Sequence, residues 1–553
     1  MTDHAELVRR ALDPATIPEF DGRVRRQADR LVEAIETGAF DNRAATVGLE
    51  LEAYAVDGEG RLAPLPEDTF DGPAAKELGL HNAELNTDPT EFGADGVEQQ
   101  AAALAGDLET TRERARDHGL ELVLDAMWTV PPADGTHSYL DDVEIHPGVD
   151  ANGRGHETAG GHGGPAVVPG PDPSDPVVVA RNMRRDPRYS ALDNEALRRA
   201  GGGISLDVPG ASVSFRTILF ESLATSIQPH VQVPDVDAFP RYHNLAVRTL
   251  GPLLALSTNS PFLPADCYDA HVDRRTLVDE SHHELRIAAF EQSMNQDCRK
   301  VGVPDDLEGP ADVAEAIVVD DTFGPFLREW VDDDASTGSD ESADGQGQGQ
   351  GRDGPVDVDD CWEFDYKRST FWRWVRGVVG GTAVDGACDE RSIRIEYRPL
   401  PTQPTVRDVV GLQVLTAGLL CGLVAADHPL SDLPWGAAER SFYAAAEDGL
   451  DADLAWVGAD GERTDDAQQV FTEVFEYARR GLDEQGVPGE VRDRYLDPIE
   501  ARWEQGVTPS VWKKRRVREA LDDGATFAGA LEATQREYAR LSLDREPFVE
   551  WVE

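Results

Sequence analysis

The 553-residue sequence is nearly without lysine. Lysine stands only at 76, 300, 367, 513 and 514, so arginine supplies almost all of the 52 basic residues. Acidic residues number 105, and the formal net charge is −53. A chain this poor in positive charge is excluded from the usual nucleic-acid and anionic-membrane binders, because phosphate backbones and headgroups reward Lys and Arg. Cysteine is scarce too. The five residues at 267, 298, 361, 388 and 421 form no Cys-x-x-Cys and no paired spacing. That argues against a zinc site or a disulfide framework and for reduced thiols. No run of eighteen apolar residues occurs, and the most apolar stretches, 409–426 and 245–256, carry polar positions that mark core helices. The start, Met1-Thr2-Asp3-His4, has no basic segment followed by an apolar one. The expectation is a soluble cytoplasmic protein. A Gly-x-x-x-x-Gly-Lys-Ser/Thr loop is also missing, so any nucleotide must be held by a site of another kind.

The first 40 residues space Leu7, Leu12, Val24, Leu31 and Ile35 at helical intervals. From Thr46 the period changes to two, with Val47, Leu49, Leu51, Ala53 and Ala55 on one face. Asp57-Gly58-Glu59-Gly60 then predicts a turn, with Arg61–Leu65 returning as a hairpin. Helices are expected at 97–118, 239–256, 281–295 and 405–426, and strands at 120–127, 225–233 and 392–398. Residues 146–176, rich in Gly, Pro and His, predict an irregular loop, in which His156 and His162 are expected to be solvated. Residues 332–360, an Asp/Ser/Gly/Gln tract, offer too little apolar surface to offset ordering entropy and predict a disordered acidic insertion. From about 434 to 553 the pattern is helical. Strands followed by helices, without βαβ alternation, give α+β with a mainly antiparallel sheet in one catalytic domain spanning 1–553.

Four of the strands carry chemistry on one face only. Glu50 and Glu52 project together from Gly48-Leu49-Glu50-Leu51-Glu52, as a hard-cation site such as Mg²⁺ would require. Glu84 shares a face with Asn86, and Glu77 and Glu91 lie seven residues to either side of Glu84. Gln228, His230 and Gln232 alternate with Ile227 and Val231. Arg394, Glu396 and Arg398 alternate with Ile393, Ile395 and Tyr397, setting a carboxylate between guanidiniums that can grip phosphate with paired hydrogen bonds. The plain alternatives are an acidic solvent face for the first strands and a structural ion-pair ladder for the last.

Taken together, Val47–Glu52, Glu84-Leu85-Asn86-Thr87, Gln228–Asp235, Gly251–Phe262, Phe371–Arg376 and Ile395–Arg398 resemble the glutamate–cysteine ligase family, in its bacterial–archaeal carboxylate–amine ligase branch, over roughly 44–430. The resemblance implies a curved antiparallel sheet forming a funnel, flanked by helices and related to glutamine synthetase. It implies ATP as co-substrate and Mg²⁺ or Mn²⁺ as metal, with Glu50, Glu52, Glu84 and Glu396 as ligands and His230 or Gln228 completing the shell. Arg398 is expected on the ATP phosphates, Arg373 or Arg376 on phosphate or a substrate carboxylate, and Gln232 and Asn86 among the binding residues. The implied reaction joins an amino-acid carboxylate, first the γ-carboxylate of glutamate, to an amine, first cysteine. A different amine or carboxylate, or a non-catalytic nucleotide- or amino-acid-binding paralogue, stays open as the alternative.

Outside these strands, Cys267 is expected to be a buried thiol, Glu280–Glu284 to face solvent, and Lys513-Lys514-Arg515-Arg516 to pair with the acidic surface. The charge itself points to a salt-rich cytoplasm. At molar salt the screening length falls to about 3 Å, and self-repulsion that would loosen the chain in dilute buffer becomes tolerable. Thermal melting across a KCl series is therefore expected to rise steeply towards molar salt. A melting temperature independent of KCl would remove the halophile reading.

Overall fold

The computed structural model describes residues 4–42, 44–148, 167–335, 361–380 and 392–552. The predicted irregular loop therefore falls largely, and the acidic insertion almost wholly, outside the described residues. The stems of the loop are described: Val143–His146 pairs antiparallel with Val177–Ala180.

The organising element is an open sheet of eight strands: β1 (Thr46–Val56), β2 (Ala74–Lys76), β3 (Asn82–Asn86), β4 (Thr90–Glu91), β5 (Glu121–Val123), β6 (Ile227–Gln232), β7 (Val375–Val379) and β8 (Ile393–Tyr397). Its order is β7-β8-β6-β1-β3-β2, with β4 and β5 also pairing to β1, and every pair is antiparallel. The expected α+β class with a mainly antiparallel sheet is what forms. β1 is the hub because its odd-numbered apolar residues give it a buried back and its length lets four partners share its two edges. The predicted hairpin return is reduced to one bridge, Val56 to Leu62, because β3 and β5 take the edges of β1 that a longer return would need. Likewise the strand expected over 120–127 shortens to β5, after which the chain turns inward at Asp125.

The back of the sheet is covered by the helices Ala94–Asp117, Phe239–Ser257 and Val406–Ala425. The last of these, with a mean hydropathy of 1.8, is apolar enough to cross a membrane, yet 89% of its apolar window is buried inside the fold. Thr405 caps it by accepting from Asp408 N. Asp408 in turn accepts from Arg502 and from Phe548 N, so the carboxylate of this fully buried ion pair is satisfied at both oxygens. Val406–Ala425 packs against Ala467–Glu484 at glycines: a Cβ on Gly422 would sit 1.8 Å from the Tyr477 carbonyl oxygen. From Trp435 onward the chain is mainly helical, and one continuous apolar core runs from Leu7 to Leu531.

Two surface expectations are corrected. Glu284 is buried, accepting from Asn259 N at 2.8 Å and from Ser260 Oγ at 2.6 Å. Lys513 and Lys514 are buried as well: Lys513 donates to Asp125 and to the Asn259 carbonyl, and Lys514 donates to the Ser281 carbonyl. A charge goes inside when its partners go with it, and both partner sets come from distant segments that a local pattern does not display.

One buried acid gives a test of the packing. Asp193 accepts from Ile218 N at 2.7 Å, while its other oxygen has no partner. Burial pushes its carboxyl up to about 7. The folded protein then holds a proton that the unfolded chain releases near pH 4, so this group costs stability increasingly as pH rises from about 4 to about 7. Asp193→Asn keeps the acceptor and removes the ionisation. It is expected to raise stability at pH 8, by up to roughly 4 kcal/mol, and to do little near pH 4. Urea melts at both pH values check this, and an equal effect at each would contradict it.

Candidate active site

Antiparallel pairing sets residues side by side on the same face, and the observed registers bring the predicted polar residues into rows. Arg376 opposes Glu396, Glu396 opposes His230, and His230 opposes Gly48. Glu50 lies between Gln228 and Asn86, and Glu52 is opposite Glu84. Gln232 stands opposite Arg394. Five strands thus present one polar face, and their apolar residues point together to the helices behind.

Glu396 is the anchor of that face. Its Oε2 accepts from Arg376 Nε at 2.9 Å and its Oε1 from Arg398, which also donates to the Gln228 side chain. Burial alone would raise its pKa, but Arg376 and Arg398 outweigh burial and hold the carboxyl well below the usual range. Burial in turn lowers Arg376 to about 10. Beside this clamp, Glu50, His230 and Glu396 each offer a ligand atom within 4.8 Å of the others. His230 Nε2 is 3.2 Å from Glu50 Oε1, and it is a buried nitrogen without a hydrogen-bond partner. Arg394 Nε donates to His230 Nδ1 at 3.3 Å, which assigns the proton of a neutral ring to Nε2. Ligation through Nε2 would therefore require the ring to give up the Arg394 contact. Gly48 keeps the space above His230 clear, and a bare Cβ there would meet only ordinary contacts, the nearest at 3.7 Å.

The other half of the face is more acidic, and there burial is not outweighed. Glu52 accepts from Ser226 N and Ser226 Oγ, both at 2.9 Å, yet burial still raises its pKa. Burial and then the charge of Glu50 lift Glu84 to about 7, even though Asn86 donates to it at 2.6 Å. Burial, Glu84 and Glu52 push Glu77 well above the usual carboxylate range. Crowded carboxylates that repel one another, on a rigid sheet, have the donor chemistry a hard divalent cation takes.

Two cavities open on this face. The inner one, about 210 Å³, is walled by Glu52, Glu77, Gln228 and Arg398 together with Arg188, Glu221, Arg286, Tyr366 and Trp374. The outer one, about 240 Å³, is lined by Gly48, Glu50, Asn86, His230, Gln232 and Arg394. Of the predicted residues, only Arg373 is elsewhere. It pairs with Asp320 at 3.2 Å and lines a separate cavity with His243, because odd-numbered positions of this strand segment face away from Arg376. Glu77 joins the site, whereas Glu91, on β4 beside Thr46, is exposed and apart from it. Arg188, Glu221 and Arg286 were not foreseen. They come from helices, where a single charged residue in the chain carries no strand-like signature, although Arg286 N donates to Ser260 of the Ser-Pro-Phe element.

An open sheet presenting clamped guanidiniums, crowded carboxylates and an enclosed cavity has the chemistry of an enzyme acting on anionic substrates. The chain belongs to glutamate–cysteine ligase family 2 (GCS2), whose model matches residues 46–537. Its class is accordingly carboxylate–amine ligase. Among solved structures it is similar to glutamate–cysteine ligase from Francisella tularensis in complex with AMP, at 14% identity and a TM-score of 0.46, over 92% of this chain and 91% of that one. It is also similar to a bifunctional glutathione synthetase from Pasteurella multocida, at 14% identity and a TM-score of 0.46, over 95% of this chain and 55% of that one. A third similarity is to the complex between the prokaryotic ubiquitin-like protein Pup and its ligase PafA, at 10% identity and a TM-score of 0.37, over 91% and 74% of the two chains. No curated protein sequence matches significantly.

The two halves of the face predict opposite stability effects. Glu50→Gln removes one charge from a crowded acidic group, so it is expected to lower ligase turnover roughly 100-fold or more while leaving melting unchanged or slightly higher. Glu396→Gln strands two buried guanidiniums and is expected to lose turnover and also stability, on the order of 3–5 kcal/mol. Melting and turnover per folded molecule, measured on the same samples, separate the two. Normal turnover per folded molecule in either variant would make that residue scaffold.

Proposed function

We propose that the protein is an ATP-dependent ligase joining the γ-carboxylate of glutamate to an amine, with cysteine the first candidate. The observation that carries this reading is the convergence of Glu50, His230 and Glu396 within 4.8 Å, flanked by Arg376 and Arg398 on the same face. Glu50, Glu52, Glu84 and Glu396 would hold Mg²⁺ or Mn²⁺, with His230 as a further donor once its ring is released from Arg394. The orphaned His230 nitrogen and the mutually repelling carboxylates fit such an ion. When bound, a divalent cation supplies charge neutralisation at the transferring phosphoryl group.

The chemistry asks two things of the chain's own residues. A carboxylate is a poor acyl donor, since its leaving group would be oxide. Attack of its oxygen on the γ-phosphorus of ATP expels ADP and gives an acyl phosphate. The amine nitrogen then attacks the acyl carbon, phosphate leaves with the former carboxylate oxygen, and the nitrogen loses a proton. Arg398 and Arg376 would hold phosphate oxygens in line, as delocalised cations that stay charged at any working pH. Gln228, Gln232 and Asn86 would donate to nucleotide or substrate oxygens. The helices that wall the inner cavity would limit access of water, which would otherwise hydrolyse the acyl phosphate.

Phosphate release from ATP, followed in molar KCl with Mg²⁺, glutamate fixed and a panel of amines varied, tests the proposal. The expected outcome is release that requires both glutamate and an amine, strongest with cysteine, and that stops on chelation. Release independent of glutamate, or none with any amine, would overturn it.

A further inference from the structure

In a chain with twice as many acids as bases, a guanidinium without a carboxylate partner stands out. One such group, Arg188, faces the inner cavity, together with a second guanidinium, Arg286, that is paired. Arg286 is fully buried, its Nη2 donating to the Arg398 and Pro399 carbonyls and its Nε in an ion pair with Glu284 at 3.5 Å. Arg188, on the helix Pro187–Arg199, lies over the Tyr366 ring at 4.7 Å from the centroid. Its buried Nε lacks a hydrogen-bond partner, and among the described residues it pairs with no acid.

These two guanidiniums are held by different parts of the fold. Arg286 is fastened to the backbone that carries Arg398, next to the clamped Glu396, whereas Arg188 is stacked on the helix Trp362–Ser369. A substrate spanning the cavity therefore meets one anion-binding group beside the reacting face and a second one away from it. Glu77 and Glu221 line the same cavity and can receive an ammonium. We infer that Arg188 binds the second carboxylate of a dicarboxylic α-amino acid, the carboxylate that is kept while the other is activated at the sheet. This rests on the ligase reading above and adds to it the residue that makes the donor a diacid.

The competing anion is a nucleotide phosphate. At about 210 Å³ the cavity is smaller than the roughly 300–1,000 Å³ typical of sites for larger ligands, and it suits a single amino acid better than a nucleoside triphosphate. The Arg188 guanidinium also sits on an aromatic ring, whose face favours a planar cation that can present its edge to a planar carboxylate.

The test compares L-glutamate with 4-aminobutyrate, which keeps the γ-type carboxylate and the amine but lacks the α-carboxylate. Wild type, R188K and R188Q are assayed as full chains in molar KCl for phosphate release and, by calorimetry, for glutamate binding. R188Q is expected to raise the glutamate KM by about tenfold to a hundredfold, leave the ATP KM unchanged, and erase the preference for glutamate over 4-aminobutyrate. R188K, which keeps the charge but loses the planar stacking, is expected to recover part of that preference. A variant that retains the wild-type preference, or one in which only the ATP KM rises, overturns the assignment. If wild type releases no phosphate with any amine, the ligase reading fails by itself, and the calorimetry still decides the anchor. Loss of glutamate binding in R188Q would uphold it, while equal binding, or no binding by wild type, would sink it.

Discussion

The constraint on which the site depends is the two-residue period of a strand, locked by antiparallel register. Because β6 pairs to β1 with His230 opposite Gly48, and β8 pairs to β6 with Glu396 opposite His230, every even-numbered polar residue of these strands arrives on one side. A slip of one residue at either ladder would turn Glu396 or His230 into the helical layer, among Leu250, Leu253 and Val410. The apolar back of the sheet and the charged front thus enforce each other: burying Ile393, Ile395 and Tyr397 is what aims Arg394, Glu396 and Arg398.

On that face, charge is distributed unevenly, and the imbalance has a physical meaning. At one end each acid is answered: Glu396 by two guanidiniums, and those guanidiniums by Glu396, Gln228 and main-chain carbonyls. At the other, burial raises the proton affinity of Glu52, Glu77 and Glu84, and neighbouring carboxylates raise that of Glu77 and Glu84 further. The first arrangement is rigid and self-sufficient. The second holds repulsion that a divalent cation, on the function proposed above, would relieve without any added ligand.

Strand faces were legible in the sequence because period-two alternation is local and strong. Glu50, Glu52, Glu84, Gln228, His230, Gln232, Glu396 and Arg398 all lie where that alternation places them. Arg373 and Arg376 look equivalent in a row of aromatic and basic residues, and only the register of β7 separates them, sending Arg373 to Asp320. What local pattern does not carry is the identity of a partner far along the chain. Glu284, Lys513 and Lys514 look like solvent-facing charges until Asn259, Asp125 and the Ser281 carbonyl are placed beside them. Arg188 and Arg286 escape notice for the same reason, since a helical charge becomes part of a site only through the cavity it meets.

The buried pairing of Lys513 and Gln535 with Asp125 has a consequence for how the molecule is made. Asp125 follows β5, early in the chain, and the residues that answer its charge are synthesised nearly four hundred positions later. Thr402, which donates to the Glu52 and Ser226 carbonyls beneath the site, is tied through Asn259 and Tyr538 to the same late helices. While translation is in progress, a carboxylate destined for the interior has no cation, and the floor of the site has no roof. Long-range closure of this kind makes the nascent chain wait, so the growing polypeptide is most exposed to misassembly and proteolysis until its final helices leave the ribosome.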